Sequence, residues 1–60
     1  MFIEYRYEVE KIGQGHYNTD IIEAAKNAKK LSIRHKDTVR LEQFKPERKL
    51  IARYKNGIQI

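Results

Sequence analysis

Residues 2–12 alternate almost without a break, and that alternation limits the folds open to this chain more than any other feature. Ile3, Tyr5, Tyr7 and Val9 fall on one side of an extended segment, and Glu4, Arg6, Glu8 and Glu10 on the other. Period-two alternation with aromatic and β-branched residues on the apolar side marks a strand with one face buried. Such a strand belongs in a sheet with one solvated face, which favours antiparallel neighbours over a parallel sheet covered on both sides. Gly13-Gln14-Gly15 then breaks the pattern, as glycines do where a chain turns.

The period changes after the glycines. Asn18, Thr19 and Asp20 are all suited to cap a helix, and Asp20-Ile21-Ile22-Glu23 has the layout of a capping box. Ile21, Ala24, Ala25, Ala28 and Leu31 sit at offsets of 0, 3, 4, 7 and 10, which makes one apolar stripe. Its alanines let the helix lie close to a sheet. Lys26, Lys29 and Lys30 point outward and suit the negative end of the helix dipole. Residues 32–37 read as the connection, with Ile33 packed beneath it.

Residues 38–44 and 49–55 alternate again. Val39 and Leu41 oppose Arg40 and Glu42, while Leu50, Ala52 and Tyr54 are expected inward and Ile51, Arg53 and Lys55 outward. Lys45-Pro46-Glu47-Arg48 fits a turn with proline at its second position. Asn56-Gly57 is a strong hairpin signal, after which Ile58-Gln59-Ile60 folds back as a stub of strand.

The expected fold is a small α+β domain spanning 1–60, in the order β-α-β-β. Its sheet is mainly antiparallel and three-stranded, four-stranded with the stub, and one helix covers one face. Placing the last full strand between the other two makes every neighbour antiparallel and joins the outer two by a split crossover. A chain of 60 residues removes only about 60% of its unfolded surface from water, less than a larger domain does. With no cysteine it has no disulfide and no thiolate metal site. Small domains without staples often gain core by self-association. The first strand would be a long edge in this arrangement, so a homodimer formed by its pairing is the expectation.

Charge carries the only functional signal. Residues 1–25 hold five carboxylates and two bases, net −3; residues 26–60 hold eleven bases and three carboxylates, net +8. Lys26, Lys29, Lys30, Arg34 and Lys36 occupy eleven residues with no acid among them. In the expected topology the helix end meets Lys55, with Arg53 and His35 beside it, while Lys45, Arg48 and Lys49 lie at the opposite pole. Such a patch attracts phosphates or an acidic protein.

Other chemistries find little support. Gly13-x-Gly15 before a helix lacks the third glycine of a dinucleotide fingerprint, where Asn18 stands, and the lysine and hydroxyl of a P-loop. Asp20 and Glu23 would repel a phosphate there. His16 with Asp20 and His35 with Asp37 offer no third metal ligand, and His16 reads as a residue leading into the helix. Ser32, His35 and Asp37 are too close in sequence to converge as a relay. Glu4, Glu8 and Glu10 read as cross-strand partners of Arg40, Arg53 and Lys55 rather than as catalytic carboxylates.

No enzyme activity, cofactor or metal is therefore expected. The reading is a small non-catalytic module that contacts nucleic-acid phosphates through Lys26, Lys29, Lys30, Arg34, Lys36, Arg53 and Lys55. The alternative is a protein-binding module or small inhibitor of mobile-element or phage type, homodimeric, docking on an acidic partner through the same residues and outward Phe2, Phe44 and Ile51. No stretch is apolar enough to span a bilayer. Met1-Phe2-Ile3-Glu4 has no basic-then-apolar signal layout, so a cytoplasmic location is expected.

Overall fold

The computed structural model describes residues 2–60; Met1, the first residue of the stretch read for a signal layout, lies outside them. Among the described residues the chain forms β1 (Glu4–Val9), β2 (Gly15–Asn18), α1 (Ile21–His35), β3 (Val39–Lys45), β4 (Lys49–Lys55) and β5 (Ile58–Gln59). The strands make one sheet in the order β2-β1-β3-β4-β5, every neighbouring pair antiparallel. One helix lies on one face, so the α+β class holds, with five strands instead of three or four.

The first apolar alternation sets the sheet's two faces. Tyr7 and Val9 are buried beneath α1 with Val39, Leu41, Ala52 and Tyr54, and Ala24 and Ala28 close over them from the helix. Leu41 and Val39 are fully buried, each removing about 1.5–3 kcal/mol worth of apolar surface from water. Asp20 caps α1, its Oδ1 accepting from the amides of Ile22 at 2.9 Å and Glu23 at 3.4 Å. The cap therefore stands where the sequence puts it. The Asp20 amide, which a full capping box would give to Glu23, donates instead to Asn18 Oδ1 at 2.8 Å.

Three sequence expectations give way. β1 is shorter than residues 2–12, because Ile12 N and Gly13 N both turn back to donate to Val9 O. Gly13, at φ 79°, completes that reversal, and β2 pairs along β1. The strand order also differs, since β3 rather than β4 lies beside β1. β2 and β3 both run antiparallel to β1 and therefore parallel to each other, and the split crossover through α1 joins them across β1. Finally, β1 is hydrogen-bonded on both sides, so it offers no free edge for a dimer.

Two local details move side chains between faces. A bulge lies where Leu41 pairs with Ala52 but Glu42 pairs with Leu50, leaving Ile51 as the extra residue. That insertion puts Leu50 opposite Glu42 on the helix-free face, where it is exposed instead of inward. The helix, meanwhile, continues through residues 32–35. Ser32, read as connection, is fully buried, and Ile33, read as packed, is 58% exposed. Residues 46–48 connect β3 to β4 where the sequence expects a turn, and the Lys45–Pro46 bond is cis.

Candidate nucleic-acid interface

The helix-free face of the sheet is a lattice of compensated charge. Arg6 forks onto Glu8, with Nη1–Oε1 at 2.7 Å and Nη2–Oε2 at 3.4 Å. Its hydrogen bond to Glu8, with Tyr17 assisting, holds the guanidinium above its ordinary range, and the same bond holds the Glu8 carboxyl below its own. Glu42, 5% exposed, is ringed by Arg48 at 2.6 Å, Arg6 at 3.6 Å and Arg40 at 3.9 Å. Arg53 donates Nε and Nη2 to the two oxygens of Glu10 at 3.0 and 3.1 Å. These pairs include Arg53–Glu10, as the cross-strand reading of the glutamates anticipates.

An open groove of about 480 Å³ lies on this face, lined by Glu8, Glu10, Arg40, Leu50 and Arg53. Its two arginines face two glutamates, so it carries no net charge to select an ion. Beside it Tyr17 meets Phe44 edge to face at 5.2 Å, and the Arg48 guanidinium lies 5.4 Å from the Phe44 ring. Phe44 is thus half-buried rather than a free outward patch.

The helix side is different. Lys26, Lys29, Lys30, Arg34 and Lys36 are all exposed. None of them takes part in an ion pair among the described residues. Around the helix axis they point to different flanks. Lys29 leans towards β4, its Nζ 5.6 Å from the Tyr54 ring, while Lys30 and Arg34 lie on the opposite flank, towards β1 and β2. Lys36 caps the helix in the left-handed conformation, φ 51°. Lys55 ends β4 just before the Asn56-Gly57 turn, which Ser32 ties to α1. The cations form a belt around the exposed side of α1. Arg53 is not part of it, because its bidentate bond to Glu10 holds it on the other face of the sheet.

Lys30 and Arg34 border a cleft of about 220 Å³ between α1 and the β1–β2 ladder, completed by Tyr7, His16, Asn27 and Leu31. His16 belongs to β2 rather than to a segment leading into the helix. It is opposite Tyr7, and the two rings stack at 5.3 Å with planes 18° apart. The sequence offers His16 as a candidate for metal alone. What it does not supply is β2, without which His16 has no place near Lys30.

The relay candidates are separated by their bonds. Ser32 Oγ donates to Lys29 O at 2.7 Å and accepts from Gly57 N at 2.8 Å, whereas Asp37 Oδ2 accepts from Lys11 N at 3.2 Å. Among the described residues no three His, Asp or Glu side chains are grouped to hold a metal ion. None of the described helices is long and apolar enough to cross a membrane. Compared with family models, curated proteins and solved structures, the chain matches none.

Proposed function

We propose that the chain is a small, non-catalytic, cytoplasmic module that contacts nucleic-acid phosphates through the cations of α1, with Lys55 at the adjoining turn. The observation that carries this reading is the division of charge between the two faces. Arg6, Arg40, Arg48 and Arg53 are engaged by Glu8, Glu10 and Glu42, whereas the belt from Lys26 to Lys36 has no carboxylate partner among the described residues. Uncompensated cations on a helix face are free to displace the counterions condensed on a phosphate backbone. Arg53 is left out, and dimerisation through β1 has no edge to use.

The test is the salt dependence of binding to a generic duplex oligonucleotide. Five phosphate contacts give a log–log slope of about −4 to −5. Replacing Lys29, Lys30 and Arg34 by Glu together should abolish binding with the circular-dichroism spectrum unchanged, since all three are exposed. A flat salt response would remove the proposal.

A second reading, docking on an acidic protein, is favoured by one observation. Ile22 and Ile33, 74% and 58% exposed, share the outward stripe of α1 with Lys26 and Lys29 at offsets of 0, 4, 7 and 11. Apolar contacts are not screened, so binding that survives high salt and depends on Ile22 and Ile33 belongs to this class.

A further inference from the structure

The outer groove and the cleft beneath α1 differ in one respect that selects a ligand. Carboxylates balance the arginines of the outer groove. The cleft between α1 and the β1–β2 ladder is lined by Lys30, Arg34, His16, Asn27, Tyr7 and Leu31, with no acid among them. Lys30 and Arg34, one helical turn apart, supply two full positive charges on one wall. Asn27, one turn earlier, adds an amide, and His16 faces them from β2 as a further donor or acceptor. The floor is the stacked Tyr7–His16 pair and Leu31.

We infer that this cleft is a binding site for a phosphate monoester, the terminal phosphate of a nucleic-acid strand or of a free mononucleotide. A monoester carries up to two negative charges and three acceptor oxygens, where a backbone diester carries one charge. Two cations converging with an amide and an imidazole suit the more highly charged group. Size points the same way. At about 220 Å³ the cleft is smaller than the ~300–1,000 Å³ that encloses a drug-sized ligand, so it holds an end-group and leaves the rest of the ligand outside. The flat ring pair and Leu31 give the attached sugar or base an apolar surface. The cleft continues directly into the cation belt, because Lys30 and Arg34 belong to both.

For its strand-end form this inference rests on the nucleic-acid reading above, and the experiment separates the two. Affinity of the intact chain is measured for one single-stranded oligonucleotide bearing either a 5′-phosphate or a 5′-hydroxyl, and for a nucleoside 5′-monophosphate against its nucleoside. The phosphorylated strand is expected to bind about tenfold more tightly than the hydroxyl strand, the equivalent of about 1.4 kcal/mol. Asn27→Asp puts an acid into the cleft without touching the buried core and should erase that preference. The new carboxylate, three residues before Lys30, also weakens hydroxyl-strand binding, so the readout is the ratio of the two affinities, which should fall to about one. His16→Gln, which removes the facing imidazole, should reduce the preference in the same way. Equal affinity for the two strands, with the monophosphate no better than the nucleoside, overturns the inference while leaving the nucleic-acid reading in place. Monophosphate binding without binding of either strand keeps the monoester site and removes the nucleic-acid reading. Binding of none of the four probes removes both.

Discussion

Ser32 shows how much one small side chain can connect. Its hydroxyl donates to Lys29 O, which satisfies its proton locally, and its lone pair accepts the Gly57 amide from the β4–β5 turn. That turn needs positive φ at both central residues, and Asn56 and Gly57 adopt 54° and 80°. An amide pointing inward from such a turn has no strand partner, and Ser32, fully buried, supplies one. Ser32→Ala would leave the Gly57 amide unsatisfied, at a cost of about 1–3 kcal/mol. In a domain of this size each kcal/mol shifts the melting temperature by about 4–8 °C. The expected result is a clearly lowered melting temperature together with faster hydrogen exchange at Gly57. A variant that melts with the native chain, with Gly57 exchange unchanged, would show that the bond contributes nothing.

Local patterns in the sequence specify β1, α1, β3 and β4, since each carries its own periodicity and α1 its own cap. β2 has no such signal. Gly15–Asn18 is four residues between a glycine turn and the capping residues of α1, and only its pairing with residues 5–8 of β1 makes it a strand. The bulge at Ile51 is equally silent, so simple alternation puts Leu50 on the wrong face. The same division applies to the site: the basic residue types of α1 and the pairing of Arg53 with a glutamate of its own face are evident in sequence, whereas the choice of Glu10, 43 residues away, and with it the loss of Arg53 from the basic patch, is a product of the fold. So is the bond between Arg6 and Glu8 packed against Glu42, which makes the β1–β3 face sensitive to acid. The Glu8 carboxyl is held below the ordinary glutamate range by Arg6, so at low pH the unfolded chain binds the proton more readily than the native one. Its contribution is complete above about pH 5, the upper end of ordinary glutamate titration, and is lost as pH falls through the depressed native value. Urea midpoints of the native chain and Glu8→Gln should differ most at neutral pH and converge as pH is lowered below the ordinary glutamate range. A difference that does not change with pH would mean that the Arg6–Glu8 pair contributes no pH-dependent stability.

Taken whole, the molecule balances charge on one face and concentrates it on the other, and the second arrangement works against folding. Lys26–Lys30 and Lys30–Arg34 are like-charge pairs one turn apart on α1, each destabilising the helix by about 0.2–0.5 kcal/mol. Lys30 lies more than one turn before the helix end, so the C-terminal dipole returns little for its charge. Lys30→Glu turns both repulsions into attractions, and the new carboxylate precedes Arg34 by four residues, the more favourable orientation. The expected gain is about 1 kcal/mol, a rise in melting temperature of about 4–8 °C. The same substitution removes one cation from the belt and reverses its sign, so oligonucleotide affinity should fall and the salt slope should flatten by at least about one unit. Stability and binding are thus expected to move in opposite directions from one exposed position. If Lys30→Glu instead lowers the melting temperature, the lysine is serving the fold, and a main reason to assign the belt to a ligand disappears. If it raises the melting temperature and leaves oligonucleotide binding intact, the belt is not where the strand lies.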